Sequence, residues 1–153
     1  MSTEPDQSAP DAGPYLGWLT RQVWQWVRQS VAAEVAAAGF TDINPAHLAV
    51  FRNPAPDGMS PSELAEQLQI TKQSVNELLG HLEQHGYLVR EPDPRNSRRR
   101  RIRLTGQGQE VQAIVRTASW RAERTAAELL GEHRLADLRR NLTDLVALLD
   151  SAA

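Results

Sequence analysis

Arginine is concentrated in one short segment of this chain. Six of the nine residues from Arg95 to Arg103 are arginines and none is acidic. The rest of the chain holds all 19 acidic side chains and only 11 of the 17 basic ones, and the net charge is −2. A local positive field attracts a polyanion even when the whole molecule is acidic. An isolated arginine run is usually a solvated loop, so the neighbouring elements decide between the two interpretations.

A second set of polar side chains lies upstream, on a helix that is predicted to begin after Thr71. Val75, Leu78, Leu79 and Leu82 share one apolar face of this helix. The opposite face presents Lys72, Gln73, Ser74, Asn76 and Glu77. Gln and Asn can pair with adenine, Glu can accept from cytosine, and Lys can reach guanine or phosphate. The alternative is an ordinary polar helix face.

Two capped helices and a hairpin surround these residues. Ser60 and Glu63 form a capping-box pattern with Pro61 at the first helical position, which predicts a helix over Pro61–Leu68. After a turn through Gln69 and Ile70, Thr71 caps the second helix, which Gly86 ends; such a pair is a helix-turn-helix. Ser62 and Thr71 lie at helix starts, where free amides favour phosphate.

The segment after Gly86 predicts a β-hairpin. Residues 87–90 have strand character, residues 91–97 are rich in turn formers, and residues 101–105 alternate polar with apolar. A hairpin directly after the second helix is a wing, with the arginines at its tip and on its returning strand. The sequence therefore predicts a winged helix-turn-helix DNA-binding domain over residues 58–108.

Amphipathic helices flank this domain on both sides. Residues 15–38 form one long helix that Gly39 ends, and a shorter helix with Asn44 as cap and Pro45 in its first turn carries Leu48, Val50 and Phe51 as far as Pro54 and Pro56. Thr105 caps a helix to about Leu130, and after Gly131 a last helix has one leucine-rich stripe. The predicted fold is mainly α with a small β-hairpin wing. The predicted organisation is a disordered tail (1–14), N-terminal helices (15–57), the winged domain (58–108) and C-terminal helices (109–153).

Several functional classes are excluded by composition. The chain has no cysteine, so disulfides, thiolate metal sites and cysteine nucleophiles are absent. Neither a signal peptide nor an apolar run of about 20 residues is present, which predicts a soluble, cytoplasmic protein. Since the sequence contains neither a glycine-rich phosphate loop nor a nucleophile elbow, we expect neither an enzyme nor a cofactor.

Two histidines have a spacing that suits a metal ion. His81 and His85 lie four residues apart on the second helix of the helix-turn-helix. Closed structural zinc sites need four ligands, and the sequence indicates neither a cysteine nor a third ligand near the pair. The prediction is therefore that no metal binds.

From Tyr15 onward the chain resembles the MarR family of bacterial transcription regulators. The resemblance rests on residues 60–75 (SPSELAEQLQITKQSV), on residues 81–94 (HLEQHGYLVREPDP) and on the closing Leu104-Thr105. The wing pattern of the family is Asp-x-Arg, five residues, then Leu-Thr, which places Arg98 at the arginine. Asn96 stands where the family has an aspartate that helps to shape the wing, and Asn can still accept a hydrogen bond.

The resemblance implies roles for the wing and the outer helices. Arg98 would enter the minor groove, which attracts arginine where it is narrow. The candidates for phosphate contact are Arg95, Arg99, Arg100, Arg101 and Arg103. In the family the first and last two helices interlock two subunits, and a twofold homodimer implies a palindromic operator with half-sites about 10 bp apart. The alternative is that these helices close an intramolecular bundle.

A ligand cavity is the last feature that the resemblance suggests. Trp18, Trp24 and His47 could line a pocket for a small aromatic or phenolic effector, although tryptophans at helical spacing are more often core or interface residues. The prolines after Asn53 shorten the helix that usually lines this cavity. The leading hypothesis is a ligand-relieved repressor of transcription. The alternatives are an architectural or nonspecific DNA-binding module and a winged-helix module for protein contact.

Overall fold

The computed structural model describes residues 13–52 and 56–152. Most of the predicted tail over residues 1–14 and the predicted helix stop at Pro54 lie outside this range. The helices and strands of the described residues are α1 (Leu16–Ala37), a 3-10 helix (His47–Phe51), α2 (Pro61–Leu68), α3 (Lys72–Gln84), β1 (Leu88–Asp93), β2 (Asn96–Leu104), α4 (Gly106–Leu130) and α5 (Glu132–Ala152). The predicted class, mainly helical with one β-hairpin, is confirmed.

Short-range caps fix both helices of the helix-turn-helix. Ser60 Oγ accepts from the Glu63 amide at 3.2 Å, and the Ser60 amide donates to Glu63 Oε2 at 2.7 Å. The turn passes through Gln69, which adopts the left-handed conformation (φ 54°). Thr71 Oγ1 then accepts from the Ser74 amide at 3.1 Å. These caps satisfy amides that have no partner inside a helix, so α2 and α3 begin where the sequence predicted.

The hairpin is longer than the sequence predicted. β1 and β2 pair antiparallel from Leu88 opposite Leu104 to Pro92 opposite Arg100, and then with an irregularity to Asp93 opposite Asn96. The predicted turn-rich stretch 91–97 is therefore mostly strand. Pro92 and the charged residues of this stretch have low strand propensity, but pairing of β1 with β2 holds them in extended conformation.

The base of the hairpin is tied to the segment before α2. The Gly58 amide donates to the Ile102 carbonyl at 2.8 Å, and the Ile102 amide donates to the Met59 carbonyl at 2.7 Å. Asp57 Oδ1 accepts from the Leu104 amide at 2.7 Å. Ile102 and Leu104 are buried, so the wing extends from a base that is part of the core.

The core forms where α1, the 3-10 helix, α3, the wing base and α4 meet. Its fully buried side chains include Val31, Val35, Leu48, Phe51, Val75, Leu79, Leu82, Tyr87, Leu88, Ile102 and Val111. The inward face predicted for α3 is confirmed, with Leu78 partly buried beside the cluster. Burying such a side chain contributes about 1.5–3 kcal/mol.

The second helix of the sequence prediction is a 3-10 helix that starts later. Asn44 Oδ1 accepts from the amides of Ala46 and His47 at 2.9 and 3.2 Å, as an Asx turn before the helix rather than as its cap. Five residues are too few to offset the cost of α-helix nucleation. Leu48, Val50 and Phe51 are nevertheless buried, as their spacing predicted.

The last helix leaves its apolar stripe uncovered. None of the residues of α5 is buried, and its main packing contacts among the described residues are with α4. The exposed apolar side chains include Leu138, Leu145, Val146, Leu148 and Leu149 on α5, and Leu16, Leu19 and Val23 on α1. The intramolecular bundle considered as an alternative therefore does not cover this stripe. In the part of the chain described here, no helix is long and apolar enough to cross a membrane.

Candidate nucleic-acid interface

The predicted base-reading residues lie on the solvent face of α3. Lys72, Gln73, Asn76 and Glu77 are exposed and Ser74 is half-buried. Gln73 Nε2 donates to Glu77 Oε1 at 3.2 Å, one helical turn away. Glu77 therefore orients the amide of Gln73, in addition to being a possible acceptor for cytosine.

Arg90 joins the wing to this helix, and sequence reasoning did not single it out. Its guanidinium donates to Glu83 Oε2 from Nη2 at 2.7 Å and from Nε at 3.0 Å, while Nη1 donates to Asn76 Oδ1 at 3.2 Å. The Arg90 amide also donates to Glu83 Oε1 at 3.0 Å. The hydrogen bonds from Arg90 hold the pKa of Glu83 below its ordinary value. Both β1 and the Asn76 amide are thereby positioned by one ion pair.

Two of the wing arginines are engaged by a single carboxylate. Glu91 accepts from Arg101 Nη2 at 2.6 Å and from Arg103 Nε at 2.9 Å. The hydrogen bonds from Arg103 and Arg101 lower the pKa of Glu91. Glu91 faces Arg101 across the hairpin. The positive charge of these two arginines is therefore partly neutralised within the protein, which makes them weaker phosphate ligands than the sequence suggested.

The arginines nearer the tip are more accessible. Arg95, Arg98 and Arg99 are exposed, and none of their guanidinium groups takes part in an ion pair among the described residues. Arg100 is also exposed, and its Nη1 donates to the Arg90 carbonyl at 3.3 Å. Of the six arginines, these four carry the charge that remains available to a partner.

The turn of the wing is shaped by two short polar side chains. Asp93 Oδ1 accepts from the Arg95 amide at 2.8 Å, and Asn96 Oδ1 accepts from the Arg98 amide at 3.1 Å. The side-chain oxygen of Asn96 thus accepts a hydrogen bond, as the sequence analysis expected of an asparagine at this position. The backbone of Arg98 is fixed by a bond that needs no negative charge.

The two predicted phosphate contacts at helix starts differ in exposure. Thr71 is exposed, and its hydroxyl caps α3 and lies 2.9 Å from Ser74 Oγ. Ser62 is half-buried in the first turn of α2. Pro61, Asn76, Glu83, Arg90 and Arg100 line one open groove of about 330 Å³. The start of α2, the outer face of α3 and the wing therefore form one continuous concave surface.

The residues proposed for an effector pocket make separate contacts. Trp24 is half-exposed, with the guanidinium carbons of Arg28 and Arg52 at 4.9 and 5.8 Å from its ring centroid. His47 is buried and stacks on His81, with ring centroids 4.0 Å apart. Trp18 is 54% exposed. No ring contact that the structure describes brings these three together.

A different groove lies between α1, the 3-10 helix and α4. It has a volume of about 410 Å³ and is lined by Val27, Phe51, Arg52, Gln112, Val115, Arg116 and Ser119. Burial lowers the pKa of Arg52, but the guanidinium remains a cation at neutral pH. A groove that combines apolar side chains (Val27, Phe51 and Val115) with two arginines suits an aromatic carboxylate. Sequence spacing could not reveal it, because its walls come from three elements.

The histidine pair has a third potential ligand beside it. One nitrogen of His81, one of His85 and a carboxylate oxygen of Asp42 all lie within 4.8 Å of one another. The expectation that no third ligand lies near the pair is therefore wrong. Asp42 precedes His81 by 39 residues, and only the packing of the segment after α1 against α3 brings them together.

Comparison with known proteins agrees with this geometry. The MarR family model matches residues 41–99, from the end of α1 to the wing. The transcriptional activatory protein BadR of Rhodopseudomonas palustris is 30% identical over 118 residues, which are 76% of this chain and 66% of BadR. The chain belongs to the MarR family. It is thereby placed among non-enzymatic DNA-binding transcription regulators, as the sequence predicted.

Solved structures share the fold over most of the chain. The S. aureus MepR–DNA complex has a TM-score of 0.69 at 23% identity, covering 88% of this chain and 98% of MepR. A MarR family protein of Mycobacterium tuberculosis in complex with salicylic acid has a TM-score of 0.65 at 24% identity, covering 88% of this chain and 98% of that protein. The winged helix-turn-helix and the helices that flank it are therefore those of the MarR family fold.

Proposed function

We propose that this MarR family member is a homodimer that recognises a palindromic DNA operator in a sequence-specific way. The observation that carries the proposal is the concave surface shared by α2, α3 and the wing. Asn76 lines this surface, and Gln73 lies three residues earlier on the exposed side of α3. Glu77 and Arg90 already fix the orientation of these two amides. Ordering side chains on binding costs free energy, so oriented amides favour selective base contacts over a uniform attraction to phosphate.

The wing supports the same proposal through charge. Arg98 is exposed, with its backbone held by Asn96, and we propose that it enters the minor groove. Arg95, Arg99 and Arg100 supply phosphate contacts, whereas Arg101 and Arg103 are the weakest of the predicted candidates because Glu91 engages both. Ser62 and Thr71 remain proposed phosphate contacts at the two helix starts.

The uncovered apolar stripe supports the homodimer. Leu145 is 37% exposed and Leu149 is 60% exposed, on the same face of α5. Contiguous apolar surface of this kind marks an interface. A second copy is the occupant that the family fold favours, and its twofold axis would place two α3 helices about one turn of DNA apart.

We propose that the effector binds at a different place from the one that the sequence suggested. Because one structural neighbour was solved with salicylic acid, we propose that the groove with Arg52 and Arg116 takes a small aromatic acid. None of Trp18, Trp24 and His47 lines this groove. Trp24 is connected to it only through Arg52, whose guanidinium carbon lies 5.8 Å from the Trp24 ring centroid. Repression relieved by such a ligand and a cytoplasmic location stay predictions, and the name of BadR describes an activator.

Selection of genomic binding sites by the purified protein, at two salt concentrations, tests the proposal. We expect an enriched palindrome. Asn76→Ala should weaken binding to it by about 1–3 kcal/mol, the worth of one bidentate base contact. Arg98→Ala should weaken it too, whereas Arg103→Ala is the matched control, since Glu91 already engages that arginine on the same strand.

The contrary outcomes are distinct. Uniform binding with a steep salt dependence and no effect of Asn76→Ala would favour the architectural module, because phosphate contacts carry no sequence information. If Arg103→Ala weakened binding as much as Arg98→Ala, the assignment of the free arginines would be wrong. Failure to bind any duplex would refute the proposal and favour protein contact.

A further inference from the structure

We infer that Asp42, His81 and His85 form a binding site for a late first-row divalent metal ion, with Zn²⁺ as the reference ion. The inference goes beyond the proposed DNA recognition and does not depend on it. Imidazole nitrogen and carboxylate oxygen are ligands that Zn²⁺ accepts at about 2.0–2.2 Å. One such atom from each residue already lies within 4.8 Å of the others, so small side-chain rotations would bring all three onto one ion.

The two histidines are arranged as a ligand pair. His81 lies in the last turn of α3 and His85 is its C-cap residue. The two are one helical turn apart, and their rings stack with centroids 4.1 Å apart. His85 Nδ1 lies 2.8 Å from the carbonyl oxygen of His81. Donation of the Nδ1 proton to this carbonyl leaves the Nε2 lone pair for a metal, which is how metal-binding histidines are usually oriented. His85 is exposed, so an ion can reach the site from solvent.

The carboxylate is held from the other side. The Tyr87 hydroxyl donates to Asp42 Oδ1 at 2.6 Å. The Tyr87 side chain is fully buried, so the surrounding core holds this donor in place. Oδ1 is thus anchored to the core while Oδ2 remains for an ion. Hydrogen bonds to ligating carboxylates of this kind tune metal affinity.

His47 supports the site without being a ligand. Its Nδ1 accepts from the Asn44 amide at 3.2 Å, so Nε2 carries the proton and offers no lone pair. Its ring stacks on His81 and limits how that imidazole can turn. Three protein ligands leave a coordination position open, as in zinc sites that exchange ligands rather than in closed structural sites.

An ion at this site would connect two parts of the fold. Asp42 lies between α1 and the 3-10 helix, whereas His81 and His85 lie in and directly after the last turn of α3. The same helix carries Gln73 and Asn76. The two parts are already in contact, because His81 Nε2 lies 3.0 Å from the carbonyl oxygen of Asp42. A bound metal ion would add coordination bonds between these two parts of the fold.

The experiment titrates the metal-free full-length protein with Co²⁺ and then with competing Zn²⁺. We expect one equivalent of Co²⁺ per chain, with visible absorption bands of a four-coordinate site that Zn²⁺ abolishes. His85→Ala should weaken binding about 100-fold or more, since the loss of a ligand exceeds the 10–100-fold effect of an outer partner. Tyr87→Phe removes only the outer partner and should weaken it about 10- to 100-fold.

The matched control is His133→Ala. His133 is exposed and lies 3.4 Å from the Asp137 carboxylate on α5. Among the described residues this histidine–carboxylate pair has no third ligand beside it, so its loss should change neither stoichiometry nor affinity. Zn²⁺ should raise the unfolding temperature of the wild type and of His133→Ala but not of His85→Ala, because a ligand of the native state stabilises it. Absence of the Co²⁺ bands, or equal binding by His85→Ala and wild type, would overturn the inference whether or not the protein binds DNA.

Discussion

Substitution of Gly108 by alanine isolates a single close contact in this fold. A Cβ atom at Gly108 would lie 1.9 Å from the carbonyl oxygen of Tyr87 and 3.3 Å from Leu104 Cδ2. Ordinary van der Waals contact begins at 3.4 Å, so the clash with the carbonyl exceeds an ångström. The Tyr87 carbonyl cannot turn away, because it accepts from the Thr105 amide at 3.1 Å. The first turn of α4 must therefore move away from the start of the wing.

The expected change in the free energy of unfolding of Gly108→Ala follows from two opposing effects. Overpacking of a core costs about 1–3 kcal/mol and occasionally more, whereas alanine gains up to about 1 kcal/mol over glycine in a helix interior and less near an end. Gly106→Ala is the matched control, since it lies in the same helical turn and a Cβ there meets nothing within 4 Å. We expect Gly106→Ala to be neutral or slightly stabilising and Gly108→Ala to lower the free energy of unfolding by about 1–3 kcal/mol.

Urea unfolding followed by circular dichroism, at one fixed chain concentration, measures both variants. Fixed concentration matters because the stability of a dimer depends on it. The urea midpoint of Gly108→Ala should fall without a change in the slope m, since the surface exposed on unfolding is the same. Equal midpoints for the two variants would refute the close approach of α4 to the Tyr87 backbone. The same shift of α4 should also displace the wing and weaken operator binding.

Two further predictions concern the wing clamp and the uncovered helix face. Arg90→Met keeps the aliphatic stem but removes the ion pair with Glu83, whose two side chains are 29% and 36% exposed. We expect the free energy of unfolding to fall by about 1 kcal/mol at pH 7 after allowance for solvent screening. The pKa of Glu83 is lowered from 4.5, so the stabilisation by this ion pair is present above pH 4.5 and is lost as the pH falls through the lowered pKa. Unfolding curves of the variant and the wild type should therefore converge in acid, and curves that stay apart would contradict the prediction. The double variant Leu145→Glu, Leu149→Glu should be monomeric in light scattering after size-exclusion chromatography. Ala147→Glu is the control, because it lies on the opposite face of α5 and should leave the dimer intact. A double variant that still dimerises would exclude this stripe as the interface.

Local signals in the sequence determined where the DNA-reading helix begins and which face it presents. The caps at Ser60, Thr71 and Thr105 each act on an amide three residues away. The positions of α2 and α3 could therefore be predicted without knowledge of the rest of the fold. The apolar spacing of α3 likewise separated its buried side from the side with Gln73 and Asn76. Both are properties of one or two helical turns.

Tertiary structure alone decided how these elements are joined. Which wing arginines Glu91 engages depends on strand register, and a shift of one residue would place different side chains opposite it. The attachment of Arg90 to Glu83 and the approach of Asp42 to His81 depend on packing between segments that are distant along the chain. Local residue patterns carry no information about such contacts, because several arrangements bury the same apolar faces. The sequence therefore predicted the two binding elements, and the packing between them decided which charges and ligands remain available.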